Sequence, residues 1–149
     1  MRRAAVSGFL DQAALPPLWP FGFGLSYTSF SLRLVQTPQP ATIAPSASSD
    51  WIVEATNSGT RDGDVVVVCY VSATSQSAVT DPPVRQLFDF TRVEALPAGA
   101  SRILPFSLTP RGRALATAAG EWLTPPGTYA VECEAGGVST TGKSAFVVA

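Results

Sequence analysis

Side-chain chemistry needs particular groups in particular company, and this sequence of 149 residues offers few of them. It contains no histidine. Ser-His-Asp and Cys-His nucleophilic catalysis are thereby excluded, and the commonest metal ligand is missing. Eleven carboxylates remain. A carboxyl pair does acid–base work when one member sits in an apolar setting beside a partner, so that their pKa values separate. Asp50, Asp62, Asp64 and Asp81 stand in or beside turn-forming residues, where aspartate serves local hydrogen bonding. Glu54, Glu132 and Glu134 fall on outward positions of alternating stretches. None meets the requirement, so no catalytic residue is assigned. Gly22-Phe23-Gly24 lacks the third glycine and the preceding strand of a dinucleotide-binding turn, and no phosphate loop occurs. No metal or cofactor is expected. Trp19 and Trp122 are the rings that could stack on an oligosaccharide, but one lies in a Pro-Gly motif and the other near a turn, which makes a weak platform. Cys69 and Cys133 fit two readings: small buried hydrophobes, or a disulfide across 64 residues (133 − 69). Unfavourable cross-strand geometry favours the first, so free thiols are expected.

The totals bound the scaffold that must position these groups. The length suits one domain with a sizeable core. Hydrophobic residues make up 46% and charged residues 14%, with 13 Pro and 12 Gly. Low charge with frequent turn formers points to an all-β domain. The net charge is −1 with no basic stripe, so nucleic acid is not an expected partner. No apolar run is long enough to span a membrane as a helix. Arg2 and Arg3 precede a short apolar stretch that Asp11 interrupts, so residues 1–17 do not read as a signal peptide. They read as an N-terminal arm or the remnant of a preceding domain, and residues 18–149 as the domain proper.

Along the chain, Phe30, Leu32 and Leu34 alternate with Ser31 and Arg33, as in a half-buried strand. Residues 37–49 form a Pro/Ser/Thr-rich loop. Trp51, Val53 and Ala55 face inward on a second strand that stops at Asn57-Ser58-Gly59. Val65 to Val71 is a near-continuous apolar run, which predicts a central strand whose outer face is also covered. Strands follow at Leu87–Val93 and Ser101–Leu108, the latter with Pro105 at an edge or bulge. Residues 111–119 are Ala-rich and predict one or two helical turns. Strands at Tyr129–Cys133 and Ala145–Val148 complete about seven.

The most unusual stretch is Trp19-Pro20-Phe21-Gly22-Phe23-Gly24-Leu25-Ser26-Tyr27-Thr28-Ser29-Phe30, with five aromatics in twelve residues. Such density needs a cover, supplied by the domain's own core or by a neighbour. The stretch resembles the PFGxGLSYT segment of family 3 glycoside hydrolases, the β-glucosidase and β-xylosidase group. Three further matches follow in order. Asn57, Gly59, Arg61, Gly63 and Tyr70 fit NTGxRxGxEVVQLYV, with Cys69 at the usual Leu position. Leu87–Val93 resembles LKGFxRV and leans slightly to the β-xylosidase branch. Gly120, Trp122, Pro126, Gly127, Thr128 and Tyr129 fit GxW…PGTYxVxVG.

The resemblance covers about Leu18 to Val148 and implies the C-terminal fibronectin type III-like domain of such an enzyme, an immunoglobulin-like β-sandwich. It implies a non-catalytic accessory role, packing against a catalytic barrel and an α/β sandwich domain of the same polypeptide, and secretion if the parent is typical. Ser49-Asp50-Trp51 resembles the family's nucleophile tripeptide, but that tripeptide belongs to the barrel; here it opens a strand. Trp19, Phe21 and Phe23 are expected to form the interface. Gly22, Gly24, Leu25 and Tyr27 anchor the motif, with Leu25, Tyr27 and Phe30 held on the sandwich. Two other readings are a free-standing carbohydrate-binding module and an immunoglobulin-like interaction domain.

Overall fold

The structure, a computed structural model, describes residues 18–19, 22–39, 41–76, 78–80, 82–140 and 144–149. The expected arm at 1–17 lies outside the described residues, as does Phe21. The strands are β1 (Phe30–Gln36), β2 (Thr42–Ile43), β3 (Ser49–Asn57), β4 (Gly63–Ser75), β5 (Gln86–Leu96), β6 (Ser101–Leu108), β7 (Leu115–Ala116), β8 (Trp122–Leu123), β9 (Gly127–Ala135), β10 (Val138–Ser139) and β11 (Ser144–Val148). Among the described residues, β1, β3, β4, β5, β6, β9 and β11 are five residues or longer, which matches the expected seven.

Nine of them form two facing sheets, and β7 and β8 pair as a separate two-stranded sheet. One has the order β1-β3-β6, and the other runs β2-β11-β9-β4-β5 with β10 beside β9. Pairing is antiparallel except for β2 against β11. The period of two along each strand puts alternate side chains between the sheets. Leu32, Trp51, Val53, Phe106 and Leu108 come from the smaller sheet; Val65, Val67, Val71, Tyr129, Val131 and Phe146 come from the larger. Pro105 lies on β6, an edge strand, on its outward side.

Four expectations need correction. Cys69 and Cys133 are joined as a disulfide. The two residues face each other directly in the β4–β9 register, with Cα atoms 4.1 Å apart. That is the close kind of antiparallel pair, and it removes the geometric objection to a bridge. The Ala-rich stretch does open on one helical turn, the 3-10 turn Arg111–Arg113, and the correction is that it then passes into β7 in place of a second turn. Arg113 is fully buried, and its guanidinium donates to the carbonyls of Pro45 (2.9 Å) and Ala47 (2.5 Å). This pins the loop between β2 and β3 and favours a tight turn over a helix. The third correction concerns β4, which is central as expected but has an outer face that is only partly covered: Val66 is 45% exposed, and Val68 and Tyr70 are half-buried. The fourth is that Leu25 and Tyr27 are not held on the sandwich, being 86% and 98% exposed, whereas Phe30 is buried.

Tyr129 supplies a feature that its inward parity alone does not reveal. Its hydroxyl donates to the Pro125 carbonyl at 2.8 Å from within the core. Burial pushes its pKa up. This is the corner in which a tyrosine at a strand start bonds back to the chain a few residues upstream.

Candidate functional site

The segment ahead of β1 is fixed at one end and open at the other. At the fixed end stands Asn57, fully buried at the end of β3. Its amide donates to the carbonyls of Arg61 (2.7 Å) and Leu96 (2.9 Å). Its side-chain oxygen accepts from the Thr28 hydroxyl (2.8 Å) and from the Gly59 N–H (3.1 Å). All four hydrogen-bonding positions of the amide group are used. Ser58 and Gly59 also donate to the Ser29 carbonyl, at 2.9 and 3.2 Å. A Cβ on Gly59 would collide with the Thr28 hydroxyl, and one on Gly63 would meet Thr28 Cγ2 at 2.8 Å. The glycines of the Asn57–Gly63 motif are therefore the seat of Thr28. Two motifs that are separate in sequence form one joint.

At the open end, Gly22 and Gly24 have φ of 78° and 77°, a left-handed conformation that glycine adopts without strain. These bends carry the chain past Gly136, which would lie 3.8 Å from a Cβ on Gly22. Trp19 and Phe23 stack with ring centroids 4.9 Å apart and an interplanar angle of 26°. They remain 64% and 50% exposed. The pair has found itself rather than the core.

Between this segment and the larger sheet lies a cleft of about 330 Å³. Gly22, Leu25 and Ser26 form one wall, and Val66 and Val68 line the floor. Phe90 is directly opposite Val68 on β5 and 65% exposed, which extends the apolar surface. The rim is charged. Arg92 donates to Asp64 on one side, and Arg85 pairs with Glu134 at 2.5 Å on the other, its guanidinium 4.4 Å from the centroid of the Tyr70 ring. An apolar centre with a polar rim is the make-up of a protein–protein interface.

Several of the described carboxylates hold the fold. Glu54 pairs with Arg33 at 3.0 Å, Asp62 accepts from the Ala98 N–H, and Asp89 accepts from the N–H groups of Phe90 and Ser107. Asp64 accepts from the Ala95 N–H at 2.8 Å, where Ala95 has φ of 45°. That hydrogen bond, with the Arg92 guanidinium, holds its carboxyl below the ordinary value, the reverse of what a general acid requires. Trp122 lies on β8 with the Arg111 guanidinium 4.8 Å from its ring centroid. Trp19 belongs to the segment ahead of β1, so the two tryptophans sit on different elements.

A three-stranded sheet packed on a larger, mainly antiparallel one, closed by a tyrosine corner, defines the immunoglobulin-like class of β-sandwich. Within that class, residues 65–136 match the family model of the fibronectin type III-like domain, and the chain carries a domain of that family. It is 32% identical over 139 residues to a probable β-glucosidase of Neosartorya fischeri, a match spanning 89% of this chain and 16% of that protein. It is 36% identical over 91 residues to the periplasmic β-glucosidase of Salmonella typhimurium, spanning 61% of this chain and 11% of that protein. Among solved structures, a β-glucosidase from Erythrobacter marinus superimposes with a TM-score of 0.76 at 28% identity, covering 91% of this chain and 17% of that one. The chain thus spans about a sixth or less of each relative. All three are named β-glucosidases, so they lend no support to the lean towards the β-xylosidase branch.

Proposed function

We propose that residues 18–149 are a non-catalytic accessory domain of a family 3 glycoside hydrolase, packing against the catalytic barrel and α/β sandwich domains of the same polypeptide and stabilising their arrangement. The parent would act on β-linked glucose. The observation that carries this reading is the mismatch of coverage: about nine-tenths of this chain aligns with 16–17% of two of these β-glucosidases. The open aromatic segment supports it, since Trp19 and Phe23 are large apolar rings left in water.

The test compares the product of the gene's complete reading frame with a version lacking residues 18–149. The reading expects the shortened protein to unfold at lower temperature and to lose aryl β-glucoside hydrolysis on warming. The 149-residue chain alone should hydrolyse nothing above a buffer blank. Turnover by the isolated chain that disappears on changing one of its carboxylates would overturn the proposal.

A further inference from the structure

We infer that the outward face of β4 and β5, floored by Val66, Val68 and Phe90, is the docking site for an apolar segment of the domains that precede this one in a longer polypeptide. The inference rests on the accessory role proposed above and adds which surface is covered. Three observations converge on it. The first is the sequence of β4: an unbroken apolar run fits a strand covered on both faces. Its inner face is buried by the opposite sheet, whereas Val66 outside is exposed. The outer face of β4 is thus an apolar strip that the described residues leave open.

The second is position. The cleft over Val66 and Val68 is walled by Gly22, Leu25 and Ser26, the residues through which the chain arrives at the sandwich. The described chain thus enters the sandwich beside this face. The relatives reported above extend well beyond the matched part, so such a cover has ample chain to come from.

The third is chemistry. The floor is aliphatic apart from the buried Phe30 and the neighbouring Phe90, and Asp64, Arg92 and Glu134 stand at its edge. A sugar would need convergent polar groups and aromatic platforms at the centre, and here the polar groups are at the rim and already paired with one another. Apolar side chains of a protein segment suit the centre, with their polar neighbours meeting the charged rim.

The test is a thiol footprint. Phe90→Cys places a thiol on the proposed face, and Ile103→Cys places one on the outward side of the smaller sheet, also exposed. If Phe90→Cys fails to fold, Leu87→Cys, opposite Tyr70 on the same face of β5, takes its place. In the 149-residue chain both thiols should react freely with a maleimide. In the product of the complete reading frame, Phe90→Cys should slow by at least roughly tenfold while Ile103→Cys keeps its rate. Equal rates for Phe90→Cys in the two contexts would overturn the assignment of this face, while the deletion experiment above separately decides the accessory role. A reading frame with no domain ahead of this one removes the occupant and overturns both. Protection of Phe90→Cys that grows with concentration in a 149-residue chain also carrying Trp19→Ser and Phe23→Ser would give the face to a second copy and overturn the inference.

Discussion

The Thr28 hydroxyl donates a 2.8 Å hydrogen bond to the side-chain oxygen of Asn57, across 29 positions of sequence. This contact joins the segment ahead of β1 to the end of β3, and Asn57 carries the connection on to Leu96 at the end of β5. Removing the amide takes the partner from the buried Leu96 carbonyl and from three part-buried groups at once. Asn57→Leu should destabilise the chain by about 3 kcal/mol or more, against about 1 kcal/mol for Thr28→Val, which removes one hydrogen bond. Urea unfolding of the two variants checks this. Losses below about 0.5 kcal/mol for Asn57→Leu would show that the joint is not structural.

The disulfide makes a second expectation. Denatured, unreduced protein should show no free thiol, and two after reduction. The bridge spans a sequence separation of 64, for which the loop-entropy relation gives about 4 kcal/mol. Changing both cysteines to alanine should cost about 2–4 kcal/mol, seen as a lower denaturation midpoint. Persistence of such a bridge also fits folding in an oxidising compartment. Two thiols that titrate before reduction would contradict the pairing.

Asp64 gives a pH signature. The Ala95 N–H and then Arg92 depress its folded-state pKa. A depressed carboxyl contributes stability that is fully present above its unfolded value, near pH 4, and is lost as pH falls through the lower folded value. Asp64→Asn should therefore weaken the chain at neutral pH and flatten the decline of stability below about pH 4. Denaturant midpoints of both proteins across that range measure it. Parallel curves would remove Asp64 from the account.

How far the fold could be read before any coordinates depended on which physical rule each residue obeyed. Trp51, Val53 and Ala55 follow the period of two and are fully buried as expected. Val67 and Cys69 share their parity and face the same core. Periodicity says which face a side chain takes but not what stands opposite, so the register that sets Cys69 against Cys133 was out of reach. The joint at Asn57 was half visible. Its motif was legible as a turn, yet Gly59 and Gly63 owe their identity to Thr28, a contact no local rule contains. The Tyr129 corner had a readable signal in the Pro-Gly-Thr-Tyr run, with the tyrosine at a strand start. The aromatic segment was legible as needing a cover. Composition could not tell that Leu25 and Tyr27 would be left out of the sandwich with Trp19 and Phe23.

The central proposal, that this segment is a docking surface for other domains of a longer polypeptide, is tested most directly by the solution behaviour of the 149-residue chain. Sedimentation velocity over a range of concentrations, with binding of a hydrophobic dye in parallel, should be compared for the chain and its Trp19→Ser, Phe23→Ser double variant. Both rings are exposed, so the account predicts that the parent chain self-associates as concentration rises and binds dye. The double variant should be monomeric and dye-silent, with its unfolding midpoint nearly unchanged. A parent chain that stays monomeric and dye-silent, together with a loss of several kcal/mol in the double variant, would place these rings in the domain's own core and contradict the account.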